Sequence, residues 1–335
     1  MTSARFSSPV IFGVAGPEIM AWETVFFADI QPMGFILFAR NIETGEQVRK
    51  LCEDLRASVG WNIPILIDQE GGRVQRLIPP IVRQWSPPLD HAIAAGEQGR
   101  DVFFARFALI AHELRGLGID VNCAPCLDIA REKTHPFLRN RCYGTAPQEV
   151  IDLGRAAYDG LLHGGVVPVI KHMPGHGLAV KDTHHGVSHV DESVEYLMQN
   201  DFAVFKAFAD AHVGMSAHII FDQIDRSLPA TLSPVMIDFI RNTIGFSGLL
   251  MSDDLSMSAL PGTLPERATA LLSAGCDVVL HCSGDRYEMI DIAKVLPKVS
   301  DAAVHRMGSM LSLRDECAHA ELDIDALTAQ LYGTM

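Results

Sequence analysis

Four short segments concentrate side chains able to do chemistry: Asp68-Gln-Glu-Gly-Gly-Arg-Val-Gln-Arg76, Lys171-His-Met-Pro-Gly-His-Gly177, Asp182-Thr183-His184 and Met251-Ser-Asp-Asp-Leu-Ser-Met257. Three chemistries can use such a collection. Metal-assisted hydrolysis needs three or four ligands of suitable type, which the histidines supply, but Gly13-Val-Ala-Gly16 offers no ligand and no HExxH occurs. Phosphate binding wants a glycine-rich loop leading into a helix late in the chain, and Ser283-Gly284 is a thin version of one. Displacement at a sugar carbon needs an ionised carboxylate as nucleophile and a protonatable group near the leaving oxygen. Asp253 fits the first role and the Asp182/His184 pair the second, while His185 and His189 are read as solvated loop histidines.

Side chains so far apart in the chain need a scaffold that gathers them. Eight short apolar runs recur: Pro9–Gly16, Met33–Ala39, Ile63–Gln69, Gly118–Asp128, Val166–His172, Val213–Ile220, Gly248–Asp254 and Cys276–Cys282. Amphipathic stretches separate them at Thr44–Val59, Gly99–Leu117, Pro147–His163, Val194–Ala211, Ser233–Thr243 and Leu264–Ala274. Buried parallel strands alternating with covering helices read this way, and eight of them close a barrel. The expected fold is therefore α/β, a single-domain (β/α)8 TIM-type barrel over about residues 8–300, with a helical extension from Asp301 to the end. Its long loops fall at Ile78–Gly99, Ala130–Ala146 and Met173–Ser193. Such barrels carry their chemistry at the C-terminal ends of the strands. Asp68, Lys171-His172, His218 and Asp253-Asp254 all lie at those ends.

Composition narrows the partners. The 335 residues include 48% hydrophobic and 20% charged ones, enough to bury a large core, and 41 acidic against 27 basic residues leave a net charge of −14. Nucleic acid and anionic membrane surfaces both call for a positive footprint, so neither is an expected partner. No apolar run reaches the roughly 18–20 residues of a membrane span, no secretory signal opens the chain, and the expected compartment is the cytoplasm. Seven scattered cysteines do not form a disulfide framework, and the one CxxC, Cys123 to Cys126, sits in an apolar segment and reads as buried structure.

Taken in order, the four segments resemble glycoside hydrolase family 3, in particular its short bacterial β-N-acetylhexosaminidases of peptidoglycan recycling. The resemblance implies a retaining exo-β-N-acetylglucosaminidase with Asp253 as nucleophile and His184 as acid/base, assisted by Asp182. A histidine, with its ordinary pKa near ~6.5, exchanges protons at neutral pH without strong tuning. Asp68, Arg76, Arg141, Lys171 and His172 match the sugar-binding positions, Arg141 within Arg141-Cys-Tyr-Gly144 where Cys142 stands for the usual Ser. Asp254 is assigned to capping or support, on the opposite side of its strand. The implied substrate is a small carbohydrate, GlcNAc-anhydroMurNAc with or without its peptide, handled by a monomer or weak homo-oligomer with no cofactor and no metal. Phosphate as acceptor in place of water, a broader β-glycosidase, a metal-dependent hydrolase and a non-catalytic sugar-binding barrel remain as alternatives.

Overall fold

The computed structural model describes residues 6–179, 186–318 and 321–332. Nine parallel segments make its main sheet: β1 Val10–Gly13, β2 Gly34–Leu37, β3 Ile65–Ile67, β4 Val121–Asn122, β5 Val167–Pro168, β6 Ile170–Met173, β7 Val213–Ser216, β8 Leu249–Asp254 and β9 Val278–His281. Their lateral order is β5-β4-β3-β2-β1-β9-β8-β7-β6. The two ends of that order, β5 and β6, are separated in the chain by Val169 alone, so the sheet closes on itself as a barrel of eight strands with the fifth interrupted.

Both faces of this sheet are buried, which is why its strands are apolar throughout. Alternation divides each strand between two cores. Val10, Phe12, Phe35, Ile65, Ile67 and Leu250 point outward to the helices, while Ile11, Ile36, Leu66, Val121, Met251 and Leu280 fill the barrel. At the base, Met307 and Met310 of the helix Asp301–Cys317 complete the inner core. Two arginines fasten that helix beneath the barrel: Arg306 Nη1 donates to Asp277 at 2.7 Å and Arg314 Nη1 to Asp120 at 3.3 Å, just before β9 and β4.

Several elements depart from expectation. The stretch Ile78–Gly99 is not an open loop but holds the helix Pro88–Ala95, which starts on a proline pre-set for the first helical turn. The helix expected over Val194–Ala211 is two, Val194–Gln199 and Asp201–Lys206, because Asn200 leaves the helical region and donates its side-chain amide to the Tyr196 carbonyl at 2.9 Å. The fourth strand ends at Asn122, well short of Asp128: Pro125 has no N–H to give to a ladder. The chain still tracks its neighbour, with Leu127 N–H donating to the Lys171 carbonyl at 2.7 Å, and this irregular segment carries Asp128 to the rim.

Two bulges shape that rim. Gly214 and Ser216 of β7 face Ile170 and Met173 of β6, and Val278 and Leu280 of β9 face Met251 and Asp254 of β8, so β6 and β8 each carry one extra residue. In a regular strand neighbours point to opposite faces; a bulge turns two consecutive side chains the same way. The residues doubled against one partner are Lys171-His172 in β6 and Ser252-Asp253 in β8, where the extra residue brings Asp254 round to the same side as Asp253; Lys171, His172, Asp253 and Asp254 all line one cleft.

Candidate active site

The cleft opens at the C-terminal ends of the strands between Asp68, Arg76, Arg141, Lys171, His172 and Asp253, with Phe38, Phe137 and Met257 among its apolar walls. Asp68 and Arg76 come from the end of β3 and the hairpin that follows, Gln69–Gly71 against Val74–Gln75. Gly71 has φ +101°, and a Cβ there would lie 2.0 Å from Arg106 Nη2, so the turn accepts only glycine. The tight return lets Arg76 Nη2 reach Asp68 at 3.1 Å, while Lys171 Nζ reaches the other Asp68 oxygen at 2.8 Å. Burial by itself would raise the Asp68 pKa. The Lys171 and Arg76 cations outweigh it and hold the carboxyl below the usual range.

Lys171 is buried, and taking an unpaired ammonium out of water costs several kcal/mol or more. Two carboxylates offset this: beside Asp68, Glu70 approaches the same nitrogen to 2.6 Å. Burial opposes the Lys171 charge, yet Asp68 and Glu70 together push its pKa above the ordinary lysine value. Glu70 is fully buried and also receives Arg141 in a two-pronged bond, Nε at 2.9 Å and Nη2 at 2.8 Å. Here too burial is overcome, by Arg141 first and Lys171 second, and the Glu70 pKa is lowered.

His172 is held by Asp128, whose Oδ2 lies 2.7 Å from Nδ1; the other carboxylate oxygen accepts the His176 N–H at 2.6 Å. The neighbouring His172 and these hydrogen bonds depress the Asp128 pKa against its burial. An ionised Asp128 assigns the Nδ1 proton to His172 and leaves Nε2 facing Arg141 Nη2 at 3.4 Å. His176 also lines the cleft, and burial drives its pKa down to about 4, so it is neutral near pH 7.

Asp253 differs from the other acids of the cleft. Among the described residues its carboxylate has no ion pair, and its one hydrogen bond is from the Asp254 N–H to Oδ1 at 2.7 Å. Burial raises its pKa, but the fields of His172 and His218 and that N–H bring it below the ordinary value. His218 is fixed by Thr231 Oγ1 at 2.8 Å on Nδ1 and the Asp254 carbonyl at 3.0 Å on Nε2. Burial lowers its pKa and favours the neutral ring. The result is an ionised, half-buried carboxylate with no cation bonded to it among the described residues, next to a grip of hydrogen-bond donors and acceptors suited to hydroxyl groups.

The structure thus brings together Asp253, Asp68, Arg76, Arg141, Lys171 and His172. Asp182 and His184 lie outside the described residues. Asp254 does not turn away from the cleft as alternation demands: the β8 bulge keeps it at the wall, where Oδ1 accepts the Ser256 N–H at 3.2 Å and the Cys282 N–H at 3.1 Å. Glu70 and Asp128 are functional-site residues that sequence reasoning passed over. Glu70 sat inside a quoted motif, and Asp128 closed the fourth apolar run; a charge ending a buried run was the available signal. Cys142 is buried and donates to the Leu138 carbonyl at 3.5 Å, as a serine there would. Among the described residues one group brings metal-ligand atoms together, Cys126, Asp128 and His172, within 4.8 Å of one another. Its atoms already bond each other through Asp128 Oδ2, which takes Cys126 Sγ–H at 3.4 Å as well as His172. All seven cysteines are free thiols, Cys123 and Cys126 both buried.

Comparison with known proteins agrees with this architecture. Residues 22–309 match the Glycosyl hydrolase family 3 N terminal domain. The Beta-hexosaminidase of Chromobacterium violaceum is 34% identical over 311 residues, covering 90% of this chain and 86% of that protein, and the Beta-hexosaminidase of Methylococcus capsulatus is 32% identical over 95% of this chain and 94% of its own. Among solved structures, NagZ from Neisseria gonorrhoeae in complex with N-trifluoroacetyl-D-glucosamine superposes with a TM-score of 0.86 at 27% identity, over 98% of this chain and 97% of that one. A family 3 β-N-acetylglucosaminidase from Paenibacillus gives 0.88 at 28% identity, covering all of this chain (100%) and 68% of that one. With the parallel barrel, the acid-and-donor cleft at its C-terminal rim and these matches, the chain belongs to glycoside hydrolase family 3 and is a glycoside hydrolase.

Proposed function

We propose that the protein is a retaining exo-β-N-acetylglucosaminidase that removes a terminal β-linked N-acetylglucosamine. The observation that carries this reading is the ionised, half-buried Asp253 carboxylate, with no bonded cation among the described residues, beside the Asp68–Lys171–Arg141 grip. In the first displacement Asp253 attacks the anomeric carbon, the bond to the leaving oxygen breaks, and His184, polarised by Asp182, gives that oxygen its proton. In the second, a water attacks the same carbon, passes a proton to His184, and the bond to Asp253 breaks; two inversions restore the β configuration. Asp68 accepts from sugar hydroxyls, Lys171 and Arg76 donate to them, His172 offers its Nε2 as an acceptor, and Arg141 addresses the N-acetyl side. The similar Beta-hexosaminidases and the N-acetylglucosamine analogue bound by NagZ of Neisseria gonorrhoeae support the choice of sugar.

The finer reading is that the natural substrate is GlcNAc-anhydroMurNAc, alone or with its peptide, cleaved in the cytoplasm during cell-wall recycling. No helix of the described residues is long and apolar enough to cross a membrane. The whole chain is proposed to act as one domain, the helix Asp301–Cys317 closing the barrel base. Proton NMR during hydrolysis of GlcNAc-anhydroMurNAc, with and without phosphate, tests the proposal. The first sugar released is expected to be free β-GlcNAc in both. An α anomer overturns retention, and N-acetylglucosamine 1-phosphate as the main product replaces hydrolysis with phosphorolysis.

A further inference from the structure

Glu70 is a fully buried carboxylate behind the cleft, and the mechanism above does not use it. It does not line the open space, but it binds two groups that do. Its Oε2 takes Arg141 Nε at 2.9 Å and its Oε1 takes both Arg141 Nη2 at 2.8 Å and Lys171 Nζ at 2.6 Å. Of the five guanidinium N–H groups of Arg141, the fork on Glu70 consumes two and leaves Nη1 free to face a ligand. Lys171 donates one N–H to Asp68 and forms an ion pair with Glu70.

The backbone of Glu70 is fixed as firmly as its side chain. Its carbonyl accepts Arg106 Nη2 at 2.9 Å, and the same buried guanidinium holds the Ser86 carbonyl at 2.7 Å and meets His91 Nδ1 at 2.6 Å. Gly71, packed on Arg106, fixes the direction in which Glu70 leaves the chain. Charge counting then shows what the residue accomplishes. Three cations, Arg76, Arg141 and Lys171, share the cleft with Asp68, Asp253 and Asp254, while His172 has Asp128. Asp68 pairs with Arg76 and Lys171, and among the described residues Glu70 is the one carboxylate that pairs with Arg141, so without Glu70 the Arg141 charge is left to the cleft carboxylates that have no ion pair, Asp253 among them.

We infer that Glu70 is a positioning residue: it orients Arg141 and Lys171 toward the sugar and keeps their charge from pairing with Asp253. This rests on Asp253 being the nucleophile. Its test compares Glu70→Gln, which keeps the shape and removes the charge, with Glu70→Asp, which keeps the charge on a shorter arm. The substrate is an activated aryl β-N-acetylglucosaminide, folding is followed by thermal unfolding, and Asp253→Ala is the control. kcat/KM is expected to fall about tenfold in Glu70→Asp and about 100-fold or more in Glu70→Gln, the size of losing a preorganised donor in a dry site. A folded Glu70→Gln protein within about threefold of the wild type, or one more active than Glu70→Asp, overturns the inference, since a role in shape alone favours the isostere. If Glu70→Gln does not fold, a folded Glu70→Asp protein with wild-type kcat/KM overturns it equally, and the tenfold loss supports it. An active Asp253→Ala protein signals instead that the nucleophile assignment has failed.

Discussion

Asp253 and Asp254 are neighbours on one strand, yet both face the cleft, and the N–H of the second donates to Oδ1 of the first at 2.7 Å. The extra residue in β8 makes this possible. A side-chain cation on Asp253 would neutralise the oxygen that attacks in the proposed mechanism. A backbone N–H holds the carboxylate in place and leaves its second oxygen available.

His184 is expected to matter in proportion to the leaving group. A His184→Ala protein should lose far more activity on a disaccharide than on an aryl glycoside with an acidic phenol, because only the former needs a strong proton donor. Steady-state rates across a series of aryl glycosides check this, and equal losses throughout contradict the acid role.

Asp128→Asn should reduce kcat/KM by about 10- to 100-fold, the worth of one charge-assisted hydrogen bond, by freeing His172 to rotate or change tautomer. The ¹⁵N shifts of the imidazole report the tautomer directly. A variant with lowered activity but an unchanged ring spectrum would move the effect elsewhere.

Stability is expected to decline in acid through His176. Its folded pKa, about 4, lies below the unfolded value near ~6.5, so the unfolded chain binds the extra proton first. The contribution is present above pH ~6.5, erodes as pH falls, and reaches roughly 3 kcal/mol of loss near the folded pKa. Urea unfolding between pH 7 and 4 should therefore show a shallower pH slope in His176→Phe than in the wild type; identical slopes would remove His176 from the account.

Asp277 ties the base together. It is buried, takes Arg241 Nη2 and Arg306 Nη1 at 2.7 Å each, and accepts the Leu250 N–H at 2.9 Å. Asp277→Ala leaves two guanidinium groups without their carboxylate and should cost about 3–5 kcal/mol in unfolding free energy, with kcat unchanged in the folded fraction. A loss under about 1 kcal/mol would show the helix Asp301–Cys317 held by Met307, Met310 and the Arg314–Asp120 pair without it.

Much of this site was legible from residue order because parallel barrels put strand ends at one rim. Asp68, Lys171, His172 and Asp253 each close an apolar run, so the fold that buries the runs gathers their ends. Arg76 and Arg141 were legible only through the family resemblance, since neither ends a strand. Glu70 and Asp128 escaped for a different reason. Each works by holding other polar groups inside the protein, and such pairing depends on distances that no local pattern encodes. The bulges in β6 and β8 were hidden likewise: strict alternation sends Asp254 away from the cleft, and only the register with β9 shows the extra residue. Proline and asparagine accounted for the shortened fourth strand and the broken helix at Asn200, both local signals that the apolar periodicity overrode.

The central claim is the covalent bond to Asp253. An activated β-N-acetylglucosamine analogue whose fluorine substituent slows the second displacement should accumulate as a glycosyl-enzyme, and mass spectrometry of its peptides locates the sugar. The account predicts one added sugar on the peptide containing Met251-Ser-Asp-Asp-Leu, fragmenting to Asp253. A sugar on Asp254, Asp68 or any other residue would contradict it.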